Sequence, residues 1–246
     1  MLEIKNLTVK FGNLVAVNNL EMTIKKDTIH SLIGPNGAGK TTVFNAIYGF
    51  VSYTGAILFK SKDLKKYPAY NLSRLGISRT FQNLSLFYSM TVEQNIAEGL
   101  HTRVKGNIFS DLVGVNVFAK KDVKDRIKKV TDLLGITQIL SAYPVFLPYG
   151  TQKLVELGRA LISEPELIML DEPAAGLNNS EKEYFKHILQ EIKKSGITIL
   201  LVEHDMGVVM DISDTVTVMN FGYKIAEGKP SEMEENPQVI EAYLGV

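Results

Sequence analysis

The chain contains no cysteine and no tryptophan. Without thiols there is no disulfide, no zinc finger, no iron–sulfur ligation and no cysteine nucleophile. Net charge is absent as well: 27 Lys and Arg balance 27 Asp and Glu. That balance argues against a polybasic nucleic-acid binder, whose affinity comes mainly from phosphate neutralisation. No stretch approaches the ~20 apolar residues of a membrane span. The start, Met1-Leu2-Glu3-Ile4-Lys5, lacks the basic-then-apolar pattern of a signal peptide. The chain is therefore expected to be soluble and intracellular, able to dock on a membrane protein. What is present is ordinary: 45% hydrophobic, 22% charged and 9% aromatic residues in 246, enough for a real core. At ~150 residues per domain, one large domain or one with a sizeable insertion fits.

Two-residue alternation marks the first 25 residues. Leu2 and Ile4, then Leu20, Met22 and Ile24, recur every second position about a Gly12-Asn13 turn, which predicts an antiparallel β layer. A strand at 29–33 runs into the glycine-rich segment 34–39, and a helix follows from Lys40 to near Gly49. Residues 55–59 read as a short strand. Thr91 with Gln94 three residues on forms a capping box, opening a helix towards Leu100. Residues 101–119 have little period and read as a long connection. A basic amphipathic helix covers 120–134, with Val123, Ile127, Val130 and Leu134 on one face and a solvated lysine-rich face opposite. Beyond it the pattern alternates. The spacing predicts a helix over 148–163, a strand over 167–170 and a helix from Ser180 with a Ser180/Glu183 box and Tyr184, Phe185, Ile188, Leu189 and Ile192 inward. Strands at 197–202 and 215–219, a hairpin at Phe221-Gly222 and a helix from Asn236-Pro237 complete an α/β chain with a largely parallel sheet.

The strongest local signal is Gly34-Pro35-Asn36-Gly37-Ala38-Gly39-Lys40-Thr41-Thr42, a complete G-x-x-x-x-G-K-S/T phosphate loop. It follows an apolar strand and opens a helix, where successive backbone N–H groups and the helix N-terminus face one anion. Lys40 adds a fixed positive charge for the β- and γ-phosphates, and the Thr41 hydroxyl is placed for Mg²⁺. Leu167-Ile168-Met169-Leu170-Asp171-Glu172 is an apolar strand that delivers two carboxylates at its C-terminal end, the edge where open α/β sheets bind ligands. Asp171 suits Mg²⁺ through water, and Glu172 suits polarisation of an attacking water.

With these residues in place, the chain resembles the nucleotide-binding subunit of ABC transporters along essentially its whole length. The resemblance implies an α/β P-loop NTPase fold: a RecA-like core, an N-terminal antiparallel β layer and an inserted helical subdomain at about residues 83–158. It implies ATP and Mg²⁺ as ligands. Phe11 matches the aromatic residue that stacks on adenine. Gln82, in Arg79-Thr80-Phe81-Gln82-Asn83, matches the glutamine that reaches Mg²⁺ beside Thr41 and Asp171. Leu147-Pro148-Tyr149-Gly150-Thr151-Gln152 stands in the place of the LSGGQ signature, so Tyr149, Gly150, Thr151 and Gln152 are expected to meet the nucleotide across a dimer. Ala175-Gly176-Leu177-Asn178 matches the D-loop, and His204 matches the switch histidine near the γ-phosphate. Glu172, His204 and Lys40 are the implied catalytic set. Pro148 replaces the signature serine and Asn178 the D-loop aspartate.

The finer resemblance is to the ATPase subunits of branched-chain amino acid importers. It rests on Arg79 to Asn83, on Asp171 to Asn178, on Glu203-His204-Asp205-Met206 and on the ending from Asn236 to Gly245. It implies transmembrane permease subunits and a second ATPase subunit, the same or different, as partners, with a solute-binding protein acting indirectly and no nucleic acid. The implied location is the cytoplasmic face of the inner membrane. Importers of urea, amides or other solutes share part of the pattern. A soluble ABC ATPase without a permease competes less well, because neither a heptad run nor a second phosphate loop is present.

Overall fold

Alternating apolar residues build two sheets that share one core. The computed structural model describes residues 1–80, 84–100 and 121–244. Strands β1 (Leu2–Phe11) and β2 (Leu14–Ile24) pair antiparallel across the Gly12-Asn13 turn, with Leu2 opposite Ile24. Together with β4 (Thr54–Phe59) and β5 (Lys62–Asp63) they form a four-stranded sheet in the order β2-β1-β4-β5. The expected N-terminal layer is therefore present.

Among the described residues the second sheet has six strands: β3 (Ile29–Ile33), β6 (Ile77–Arg79), β7 (Leu167–Asp171), β8 (Thr198–Val202), β9 (Thr215–Asn220) and β10 (Tyr223–Gly228). Their order is β10-β9-β3-β8-β7-β6, and every described pairing is parallel except β10 with β9. Strands β3, β7 and β8 are buried at every position, as strands covered on both faces should be. Successive side chains alternate between the two faces. Leu167, Met169, Leu200 and Val202 join the core beneath the N-terminal sheet, with Phe44 and Ile47 of α1 (Lys40–Ile47). Ile168, Leu170, Ile199 and Leu201 join the opposite core.

That opposite core is roofed by helices α3 (Val92–Ala97), α4 (Lys121–Leu133), α5 (Tyr149–Leu161) and α6 (Asn179–Lys194). The Thr91/Gln94 capping box forms as expected. Val123, Ile127, Val130 and Leu134 are buried, while Lys121, Lys124, Lys128 and Lys129 are exposed. Short helices α2 (Leu72–Leu75), α7 (Met206–Ile212), α8 (Pro230–Glu234) and α9 (Pro237–Leu244) close the edges.

Three expectations need correction. Helix α6 is capped by Asn178 with Glu181 at N3, two residues ahead of the expected Ser180 and Glu183. Asn caps as well as Ser, and Ser180 Oγ instead donates to Asn178 Oδ1 at 2.7 Å. Tyr184 is not inward. It is 43% exposed, because its hydroxyl donates to the Leu134 carbonyl at 3.0 Å and the ring lies along the surface. Pro148 is the N-cap of α5, with φ −54° and ψ 151°, so the helix proper begins at Tyr149. The short edge strand β6 carries no periodic signal and was not expected. Residues 101–119, expected as a connection, and Gln82 lie outside the described residues.

One buried histidine sets a pH limit on this fold. His30 is 1% exposed on β3, and Thr217 Oγ1, which donates to Glu227 Oε2, accepts from His30 Nε2–H at 2.8 Å. Burial holds its pKa down to about 4, against a weaker opposing pull from Glu227. A depressed histidine leaves the unfolded chain with the extra proton. Stability is thus intact above about pH 6.5 and is lost as pH falls towards 4, by about 3 kcal/mol from this group. In urea titrations the loss between pH 7 and pH 4 is expected to shrink by about that amount in His30→Gln, and an equal loss in both proteins would contradict the assignment.

Candidate active site

The phosphate loop is shaped by how closely two strands approach it. Gly34 has φ +147°, and a Cβ there would lie 2.1 Å from the Met219 carbonyl of β9. Gly39 caps α1 with φ +102°, and its Cβ would lie 2.5 Å from the Ala16 carbonyl of β2. Only glycine is compatible with both, since φ is left-handed and the neighbours are backbone. The loop closes with Ala38 N donating to Pro35 O at 3.1 Å. Lys40, 5% exposed, folds its ammonium back onto the Gly34 and Pro35 carbonyls at 2.7 and 2.9 Å. Burial pushes its pKa down, and the nearby Glu172 and Asp171 carboxylates pull it back up.

The end of β7 supplies the acidic half. Glu172 has φ +50°, uncommon for a non-glycine residue. Its N–H is tied to the Val202 carbonyl of β8 at 2.8 Å, which over-determines the turn and aims the side chain out of the strand direction. His204 Nε2–H donates to Glu172 Oε1 at 2.7 Å. Glu203 behind them is 2% exposed, and its two oxygens accept from Ala174 N at 2.7 Å and His204 N at 3.1 Å. Burial pushes the Glu203 carboxyl up, opposed by these N–H groups and that of Asp205. It fastens the turn after β7 to the turn after β8.

Asp171 is 2% exposed and paired with Arg79 of β6, Oδ2 to a guanidinium nitrogen at 3.0 Å. The same guanidinium donates to Asn45 Oδ1 at 2.9 Å and lies 5.5 to 5.9 Å from the ring centres of Phe44, Tyr48 and Phe50. The other carboxylate oxygen, Oδ1, is buried and has no hydrogen-bond partner among the described residues. Burial pushes the Asp171 pKa up, and Arg79 pulls it down.

A cleft of about 510 Å³ brings Asn36, Gly37, Gly39, Lys40, Thr41, Thr42, Glu172 and His204 together with Phe11, Leu14, Val15, Ala16 and Phe221. One end offers N–H groups, a cation and a hydroxyl; the other is apolar. This arrangement can hold a polyphosphate with an aromatic base and can polarise water beside it. Gly34 and Ala38 shape the loop from behind, and Pro35 and Asn36 border a neighbouring cleft.

The signature segment is elsewhere. Pro148, Gly150 and Thr151 line a separate cleft of about 420 Å³ against Leu177 and Glu181. The Tyr149 ring lies against Gly176, and Gln152 Nε2 donates to the Leu147 carbonyl at 2.9 Å. Within one chain these residues do not meet Lys40. Asn178, the departure from the usual aspartate, accepts from Glu181 N at 3.0 Å as the α6 cap.

Arg79, Glu203 and Phe221 carry no site role in the sequence pattern, although Arg79 and Glu203 lie in segments that support the finer resemblance. Arg79 sits on a three-residue strand, too short for a period. The buried carboxylate Glu203, at the end of an apolar run, was the one legible hint.

Comparison with known proteins matches this geometry. A family model described as "ABC transporter" matches residues 17–175, and one described as "Branched-chain amino acid ATP-binding cassette transporter" matches residues 224–246. The chain is 41% identical to the high-affinity branched-chain amino acid transport ATP-binding protein LivG of Escherichia coli strain K12, covering 100% of this chain and 98% of the relative. It is 36% identical to the corresponding BraF protein of Pseudomonas aeruginosa, with the same coverage. Among solved structures, the ADP conformation of an ATP-binding cassette of an ABC transporter superposes with a TM-score of 0.89 at 30% identity, covering 100% and 99% of the two chains. A nucleotide-free cassette from an ABC transporter gives 0.88, also at 30% identity and with the same coverage.

Proposed function

The chain belongs to the ABC transporter family as an ATP-binding subunit, and from that membership we propose that it hydrolyses ATP to drive uptake of branched-chain amino acids through a permease. The observation that carries the enzymatic part is the hydrogen-bonded Glu172–His204 pair facing Lys40 and Thr41 across one cleft. The relatives' names and the match at residues 224–246 support the solute.

In this reading Lys40 leaves its two loop carbonyls for the β- and γ-phosphates, joined by the N–H groups at the start of α1. Bound Mg²⁺ would neutralise phosphate charge. The residues present fit it: Asp171 Oδ1 is a buried acceptor without a partner among the described residues, Thr41 lines the cleft, and Gln82 is the proposed third contact. Mg²⁺ usually keeps several waters and takes only one or two protein carboxylates, which suits this sparse set. Arg79 holds Asp171 Oδ2, so the carboxylate presents Oδ1. Glu172 accepts the proton of the attacking water. His204 fixes the Glu172 carboxylate and stands ready to donate to the γ-phosphate.

The signature residues Tyr149, Gly150, Thr151 and Gln152 are proposed to complete the site of a second subunit, like or unlike this one. Helices α3, α4 and α5 belong to the proposed helical subdomain at residues 83–158. No helix among the described residues is long and apolar enough to cross a membrane, so attachment at the cytoplasmic face of the inner membrane is assigned to docking on the permease.

The test is transport. The chain is purified with its co-purifying permease, reconstituted with the solute-binding protein, and supplied with ATP inside the vesicles. Leucine uptake that stops without ATP is expected; ATP-driven uptake of urea or an amide, with leucine left outside, would reassign the solute.

A further inference from the structure

The hairpin tip between β9 and β10 carries a large apolar ring where folding alone disfavours one. Phe221 and Gly222 both have positive φ, +45° and +83°, so this two-residue connection has the backbone of a type I′ turn. Such turns prefer Asn, Asp or Gly at both central positions, and a bulky residue with φ above zero is an outlier. The ring is also 81% exposed. Strain and exposure at one residue both oppose stability, so the ring has no folding reason to be there.

Its position is fixed rather than incidental. Gly222 N donates to the Ala38 carbonyl of the phosphate loop at 3.0 Å, and Asn18 N of β2 donates to the Gly222 carbonyl at 2.8 Å. Asn18 Nδ2 also donates to the Tyr223 hydroxyl at 2.7 Å. The tip is thereby locked to the loop that holds phosphates and to the strand that follows Phe11. Phe221 lines the same cleft as Phe11 and Leu14, themselves 51% and 65% exposed. Three large apolar side chains left open around one cleft mark a binding surface, and Phe11 among them matches the aromatic residue expected to meet the base. Phe221 also borders a second cleft with Gln238 and Glu241, but the Glu241 carboxylate there opposes an anionic ligand.

We infer that Phe221 is a second aromatic wall of the nucleobase subsite, so that the β9–β10 hairpin, and not β1 alone, contributes to holding the base. This rests on the nucleotide-binding reading above. An aromatic ring stacked on a base contributes ~1–3 kcal/mol by truncation, which corresponds to about 5- to 150-fold in affinity.

The experiment uses Phe221→Asn, which removes the ring but supplies the residue the turn prefers, and Phe221→Tyr, which keeps the ring. ATP and inorganic tripolyphosphate are titrated calorimetrically, and each protein is unfolded in urea. Phe221→Asn is expected to bind ATP about 5- to 150-fold more weakly, to bind tripolyphosphate within about twofold of the parent, and to unfold at the same or higher urea. Phe221→Tyr should restore ATP affinity. The inference is overturned if Phe221→Asn binds ATP within twofold of the parent, or if tripolyphosphate weakens in parallel, since the loss then runs through the Gly222–Ala38 bond to the loop. A parent protein that binds neither ligand would instead sink the nucleotide reading itself.

Discussion

Glu172→Gln is expected to lower ATP turnover by about 10²- to 10⁴-fold, the range a positioned general base contributes, while ATP binding persists. The substitution keeps the size of the side chain and leaves an oxygen that can accept from His204 Nε2–H, the 2.7 Å bond of the native pair. It removes only the charge that takes a proton from water. The left-handed backbone at position 172, tied to Val202, is indifferent to the exchange, so folding should be unchanged. Phosphate release measured beside calorimetric ATP binding separates the two effects. If the proposed pairing of two subunits around ATP holds, the variant should also accumulate as a dimer on size exclusion. Turnover within tenfold of the parent would remove Glu172 from the role.

Arg79→Met is expected to destabilise the protein by about 3–5 kcal/mol at neutral pH, the cost of stranding one member of a buried ion pair. Asp171 and Arg79 have side chains 3% and 4% exposed, so little water can replace the guanidinium. Methionine fills similar space among Phe44, Tyr48 and Phe50, and the loss is electrostatic rather than a cavity. The pH dependence has a definite sign. Burial already pushes Asp171 up, and Arg79 is the main group pulling it down. Without Arg79 the folded state holds a proton on Asp171 more firmly than the unfolded chain does. The deficit is then full at pH 7 to 8 and shrinks as pH falls towards the ordinary aspartate range near ~4. Urea unfolding of both proteins across that range reads the difference. A deficit independent of pH would mean that Arg79 acts through its aromatic contacts instead.

Much of the fold was legible because its signals are local. The 29–33 strand, the glycine loop and the helix from Lys40 follow from residue types alone, and so does the apolar strand ending in Asp171-Glu172. The Thr91/Gln94 box is legible from spacing alone, whereas spacing alone misplaces the start of α6. Ser180/Glu183 and Asn178/Glu181 satisfy one pattern two residues apart, and only the fold decides which serves. Tyr184 sits at a helix position that periodicity counts as inward, but a hydrogen bond to Leu134 across 50 residues keeps it at the surface. Edge strand β6 escaped because three residues hold no period, and its hydrogen bonds come from β7, far along the chain.

Acting alone, the sequence determined two local signals of this protein, a phosphate loop and an apolar strand ending in Asp171-Glu172. Both depend on residue type at short spacing, which survives without knowledge of the fold, whereas Phe11 and His204 stand out only through the resemblance to the family. Tertiary structure decided which groups meet. It joined Glu172 to His204 across 32 positions, set Arg79 on Asp171 across 92, and brought Phe221 to the mouth of the cleft that Phe11 opens. It also parted the signature segment from Lys40, a separation invisible in a linear string. The physical reason is the parallel sheet. Strands β3, β7 and β8 are neighbours only through long crossovers, so the C-terminal edge where their residues converge exists only once the chain has folded.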